Sequence, residues 1–159
     1  MERYRGFEFD DPERFKSLGS FQKSKAEQYQ NKSEQEKNEQ AFMQFSKLSG
    51  ANVRALPVVN DGKKNPDGIL LDTGEYIDVN VVTGITMKSS IHNALRDAHH
   101  QGASIVLIDV RNGFHNRIVR DSLYKSLHTG KYRTLKDIVF LLPNNEMKIV
   151  KAKHYQDLR

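Results

Sequence analysis

Asp67, Asp78 and Asn80 are the residues of this chain whose types and spacing best suit chemistry. They stand in Asn65-Pro66-Asp67-Gly68-Ile69-Leu70-Leu71-Asp72-Thr73-Gly74-Glu75-Tyr76-Ile77-Asp78-Val79-Asn80. That run reads as a strand pair joined by a tight turn at Asp72-Thr73-Gly74, residue types that accept left-handed backbone angles. Residues two apart on a strand share a face. Asp78 and Asn80 therefore point to one side, and Ile77, Val79 and Val81 to the other. A carboxylate–amide face opposite an apolar one can floor an active site. It can equally be the wet face of a half-solvated hairpin. In the first case the acids orient or activate groups at a scissile linkage, while Asn80 hydrogen-bonds substrate or braces the site.

A second cluster, Asp109-Val110-Arg111-Asn112-Gly113-Phe114-His115-Asn116-Arg117, follows an apolar run of strand length. Arginine matches two phosphate oxygens at once, and a histidine beside it can move protons in phosphodiester cleavage. Asp109, Arg111, His115, Arg117 and Arg120 are thus expected to hold substrate, joined by Lys64, Thr86 and Ser90. Asn112-Gly113 is alternatively a plain turn, with Arg117 and Arg120 as solvated helix charges. His92, His99, His100 and Gln101 share an expected helix, with His92 and His99 seven residues apart on one face. One of these histidines would serve as acid or base, although cations at a helix C-terminus are also favoured by the helix dipole alone. No His-Glu-x-x-His, phosphate loop, dinucleotide fingerprint or nucleophile elbow occurs. No metal site or cofactor is expected from these spacings.

Several elements must position these groups. Residues 1–20 read as an extended lead or linker that ends at a helix start near Asp11-Pro12. Residues 21–49 lack Gly and Pro and read as one long polar helix, whose end (Ala41, Phe42, Phe45, Leu48) docks on the core before Gly50 stops it. A strand is expected over Asn52–Val59, with Pro57 at an edge, and the hairpin over 68–82. Ser89 or Ser90 caps a helix to about Gln101, with Ile91, Ala94, Leu95 and Ala98 inward. A central strand spans Ser104–Val110, a helix 114–128 turns Ile118, Val119, Leu123 and Leu127 inward, and a hairpin crosses Pro143–Glu146. The expected fold is α+β: a long N-terminal helix, then a mixed, mainly antiparallel sheet of about six strands with two packed helices, residues 50–159 forming the α+β domain.

Composition bounds the partners. The 159 residues suit one domain with an appendage. There is no cysteine, which excludes disulfides and thiolate chemistry. No apolar run approaches the roughly 18 residues of a membrane span, and Met1–Arg5 lacks the apolar stretch of a signal peptide. Residues 101–159 hold eleven basic and five acidic side chains, whereas residues 1–50 balance nine against nine and 51–100 hold five against six. A one-sided basic field suits a polyanion.

The ordered motifs Gly50-Ala51-Asn52-Val53, Asn65-Pro66-Asp67-Gly68, Tyr76-Ile77-Asp78-Val79-Asn80, Ser90-Ile91-His92-Asn93-Ala94-Leu95, Ala98-His99-His100-Gln101 and Ile105-Val106-Leu107-Ile108-Asp109 carry a resemblance. Over roughly residues 40–151 the chain resembles the tRNA-cleaving C-terminal domains of CdiA-type contact-dependent inhibition proteins and related polymorphic toxins. These are grouped with barnase, EndoU, colicin and RelE-like nucleases. The resemblance implies a metal-independent RNA endonuclease toxin acting on tRNA in the cytoplasm of a target cell, by itself or delivered within a larger secreted protein. It also implies an acidic immunity protein as partner and no membrane. Asn80 stands where the family usually has lysine, and Asp78 where it has glutamate. That departure leaves the chain weakened, inactive or reliant on Arg111, Arg117 or a histidine. The same layout also resembles metal nucleases of the Pro-Asp…(Asp/Glu)-x-Lys type, in which Asp67 and Asp78 would hold Mg²⁺ and the substrate would be DNA. A third reading is a non-catalytic nucleic-acid or protein-binding module descended from a nuclease.

Overall fold

The computed structural model describes residues 7–8, 32–56, 66–82, 87–110 and 115–159. In chain order its elements are β1 (Phe7–Glu8), α1 (Lys32–Ser49), β2 (Val53–Ala55), β3 (Gly68–Leu70), β4 (Tyr76–Val82), α2 (Met87–His100), β5 (Ile105–Val110), α3 (Asn116–Leu127), β6 (Asp137–Leu142), β7 (Glu146–Lys151) and α4 (Ala152–Gln156). The seven strands form one sheet in sequence order. Pairs β1–β2, β4–β5 and β5–β6 are parallel, and β2–β3, β3–β4 and β6–β7 antiparallel.

The class is the expected α+β, but two parts of the expectation are corrected. The helix before the sheet runs from Lys32 to Ser49, so the long N-terminal helix from residue 21 is not what is seen. Nor is the sheet mainly antiparallel, because its centre, β4–β5–β6, is all parallel. The reason lies in the connections: α2 and α3 are crossovers, which return the chain to start each next strand from the same end. Hairpin turns confine antiparallel pairing to the flanks. Both crossovers step the same way across the sheet, so a common handedness puts both helices on one face.

The core is accordingly split by the sheet. On one face, α2, α3 and α4 cover Val106, Ile108, Val110, Ile138, Phe140 and Val82, with Ile91, Leu95, Leu123 and Leu127 from the helices. On the other, α1 lays Ala41, Phe42 and Phe45 over Val53, Ala55, Ile77, Leu107, Val139 and Leu141. Gly68 makes the second docking possible, since a Cβ there would come 2.5 Å from Cζ of Phe42. Gly50 ends α1 with φ +74°, its N–H donating to the Ser46 carbonyl at 2.8 Å, the left-handed cap expected of glycine.

Smaller differences have local causes. Ser89 and Ser90 lie inside α2, which starts at Met87. Ile118 is 40% exposed and does not face the core. The last hairpin turns through Pro143–Asn145 with Asn144 and Asn145 at φ 66° and 58°, a conformation asparagine tolerates. The Asp11-Pro12 helix start and the Pro57 edge lie outside the described residues.

The starts of the central strands are tied by polar contacts. Ser104 Oγ donates to Glu75 Oε2 at 2.7 Å, Lys136 Nζ stands 3.8 Å from the same oxygen, and Lys151 Nζ donates to Asp137 Oδ1 at 2.6 Å. The Ser104 hydrogen bond, ahead of the nearby lysines, holds the Glu75 carboxyl below its ordinary value. Asp137, by hydrogen bond and by charge, raises Lys151.

Candidate functional site

The β3–β4 turn sets the register of the acids. Thr73 and Gly74 N–H groups both reach the Leu70 carbonyl, at 3.3 and 2.8 Å, and Gly74 takes φ +76°. Ile69 then pairs with Tyr76 and Gly68 with Ile77. Beyond that register Asp67 still stands opposite Ile77. The Asp67 backbone N–H donates to the Ile77 carbonyl at 3.0 Å, and its Oδ2 accepts the Val79 N–H at 2.8 Å. The Asp67 side chain thus ties the chain to β4 beyond the end of β3, at the residue after Asp78.

Asp78 is 6% exposed. Its register partner Val106 belongs to the core beneath α2 and α3, so Asp78 and Asn80 share the helix-covered face, as alternation requires. That face is not the wet side of a hairpin: both faces of β4 are covered. Burying a carboxylate is costly unless it is paired or hydrogen-bonded, and a sheet of this kind folds more stably with an apolar residue there. Asn80, two residues on, is half-buried.

The histidines have separate surroundings. His92 is exposed on α2, with Nδ1 3.1 Å from Ser126 Oγ on α3. Ser126 is only 1% exposed. His99 Nδ1 lies 2.8 Å from Thr134 Oγ1, and the His99 ring stands 5.1 Å from Tyr132 and 5.9 Å from His100. A braced imidazole beside an exposed one is a suitable proton-transfer pair. His115 is exposed and extended immediately before α3.

Strand direction decides which groups can meet. A crossover helix begins past the C-terminal end of one parallel strand and finishes at the N-terminal end of the next. His99, His100 and Gln101, closing α2, therefore lie at the end where β4 and β5 begin, the end nearer Asp67 and Asp78. Ser104 there donates its backbone N–H to the Tyr76 carbonyl at 3.1 Å. Ser90 and His115 belong to the opposite end, where β4 and β5 finish. Asp109 is at that end too, on the α1 face, since it alternates with Leu107 and not with Ile108. Arg117 and Arg120 are exposed on α3. Lys64, Thr86 and Arg111 lie outside the described residues. The structure thus anchors Asp67 to the residue after Asp78, sets the 99–101 group at the same end of the sheet, and leaves His92 on the outer side of the helical layer.

Tyr132, Thr134, Ser126 and Lys125 were not singled out by spacing. Tyr132 has φ 54°, an uncommon backbone for an aromatic residue. No periodicity in the sequence announces it, since the loop that carries it has none. Among the described residues no group of three or more His, Asp or Glu side chains is placed to hold a metal ion. Among the described residues no helix is long and apolar enough to cross a membrane.

No protein-family model and no curated protein matches this chain. Among solved structures its fold is similar to that of a chain in the CdiA-CT/CdiI toxin and immunity complex from Burkholderia pseudomallei. The TM-score is 0.52 at 14% identity, over 72% of this chain and 82% of that one. At such identity the likeness is one of fold.

Proposed function

We propose that this chain is a toxin-type nuclease domain that cleaves RNA, with tRNA as substrate, and is restrained by an acidic immunity protein. The observation that carries the reading is Asp78, a carboxylate 6% exposed on a central strand, with a second acid, Asp67, hydrogen-bonded to the backbone of the next residue. A carboxylate so deep in a sheet is a candidate for chemistry. The fold likeness to a toxin–immunity complex and the basic excess of residues 101–159 support it.

In this reading a 2′-hydroxyl attacks the adjacent phosphorus and the 5′-oxygen leaves, giving a cyclic phosphate and a 5′-hydroxyl. Asp78, steadied by its neighbour Asp67, takes the 2′-hydroxyl proton. His99 or His100 returns a proton to the leaving oxygen. Asn80 and Gln101 hydrogen-bond the substrate, and Arg111, Arg117 and Arg120 hold flanking phosphates. The family's usual lysine would add a fixed cation at the phosphate; Asn80 adds a hydrogen bond without charge, so turnover is slow. An acidic partner suits the basic face. The test is incubation of the purified chain with total tRNA, with and without chelator. Cleavage in both conditions supports the reading, and intact tRNA in both defeats it.

The anchoring of Asp67 to the stretch of β4 that carries Asp78 favours a second reading, a Mg²⁺-dependent DNA nuclease. The two acids would hold the ion, which supplies charge neutralisation at the phosphate. DNA cleavage that appears only with Mg²⁺ distinguishes it.

A further inference from the structure

The outer surface of the helical layer carries a groove of about 460 Å³ between α2 and α3, lined by Ser89, His92, Asn93, Ser122, Lys125 and Ser126. Ser89, His92, Asn93 and Lys125 can each donate a hydrogen bond outward, and none of the six lining side chains is a carboxylate. The floor is fixed. Ser122 Oγ donates to the Ile118 carbonyl at 2.7 Å, and Ser126 Oγ meets His92 Nδ1 at 3.1 Å. These two serines are 2% and 1% exposed. Because Nδ1 is engaged below, the His92 ring is held with Nε2 outward. Ser89, Asn93 and Lys125 stand exposed at the rim. Among the described residues Lys125 is paired with no carboxylate.

We propose that this groove binds the phosphate of a nucleotide. Exposed donors on Ser89 and Asn93 beside the Lys125 cation, with no carboxylate in the lining, leave an oxyanion as the complementary ligand, since a cation would find no charge to pair with. Lysine serves phosphate as a point charge. The volume is that of a small-ligand pocket and has room for the sugar as well as the phosphate. Asn93 offers a donor and an acceptor to the edge of a base. Asp78 lies in the sheet beneath α2, whereas the groove opens above it, so this is a binding subsite and not the reacting centre. Its phosphate has two sources, a free nucleotide or the backbone of a bound polynucleotide.

The test is titration of the isotope-labelled full chain, followed by the His92 ring signals, with inorganic phosphate, adenosine 5′-monophosphate, adenosine and an adenylyl dinucleotide. Phosphate and the monophosphate should give saturable shifts and adenosine none. Lys125→Ala should weaken the monophosphate about tenfold, Lys125→Arg should retain most of the affinity, and both should melt with the parent. A dinucleotide that binds more tightly than the monophosphate identifies polymer as the source, and the reverse identifies the free nucleotide. Adenosine binding as well as its monophosphate, no saturable shift in the millimolar range, or an unaffected Lys125→Ala overturns the proposal. No cleavage is read, so the result is separable from the fate of the nuclease reading.

Discussion

Asp67 Oδ2 accepts the backbone N–H of Val79 at 2.8 Å, the residue directly after Asp78. A side chain on one strand edge is thereby locked to the neighbouring strand at the one place where the sheet carries a nearly buried acid. Asp67→Asn keeps the shape but loses the charge on the acceptor, and Asp67→Ala removes it. Both should reduce tRNA cleavage, Ala by about 100-fold, with a stability loss of about 1–3 kcal/mol for the unpaired Val79 N–H. Denaturant unfolding beside a gel assay checks this. Full activity in Asp67→Ala would remove Asp67 from the site.

Asn80→Lys should raise the cleavage rate, by about tenfold or more, because it adds a cation on the Asp78 face close to where phosphate charge develops. Single-turnover rates with excess enzyme read this directly. A drop in rate with an unchanged melting temperature would mean that Asn80 contributes through its amide and that the family's usual residue is not interchangeable with it.

Stability should depend on the Ser104–Glu75 contact in a pH-dependent way. The folded Glu75 carboxyl sits below its ordinary value, so the folded state holds that proton less tightly than the unfolded chain. The stabilisation is complete above the unfolded value, about 4.3, and disappears as pH falls through the folded value. Ser104→Ala should cost about 1 kcal/mol at pH 7, and the gap from the parent should narrow in the acid range below about pH 4. The Lys136 pair adds little, because that side chain is 69% exposed. Urea unfolding at neutral and acid pH decides it; a gap that stays constant would assign the effect to packing.

The Phe42–Gly68 contact should be the hinge of α1 docking. Gly68→Ala forces a Cβ into the ring and should destabilise by about 1–3 kcal/mol. Phe42→Ala, at a fully buried position, should cost about 3–5 kcal/mol. The double variant should cost less than the sum, since the small side chain relieves the clash. Additive losses would mean that the two residues do not share the contact.

Much of the fold was legible from periodicity. The alternation of Ile77-Asp78-Val79-Asn80 assigned faces correctly, the apolar run Ile105–Ile108 marked a central strand, and Ile91, Ala94, Leu95 and Ala98 marked the buried stripe of a helix. Strand direction was not legible, because alternation is the same in parallel and antiparallel ladders. It took the α2 and α3 crossovers to fix three parallel strands at the centre. Direction also decides which end of the sheet each candidate residue occupies. With β4 and β5 parallel, His99 to Gln101 close α2 at the start of these strands, while Asp109 and His115 follow their far end. Residues adjacent in an antiparallel picture become separated by the length of a strand. Tyr132 and Thr134 were illegible for another reason: they come from an aperiodic loop that only the tertiary fold brings to His99.

Asp78→Asn gives the most direct test of the nuclease account, because it removes one charge and leaves the shape of the sheet intact. Parent and variant should be compared for single-turnover cleavage of total tRNA on a denaturing gel, with melting curves taken alongside. The expected result is cleavage by the parent, with chelator present, and a loss of at least about 100-fold in a variant that still folds. Equal cleavage by both proteins, or none by the parent, would contradict the account.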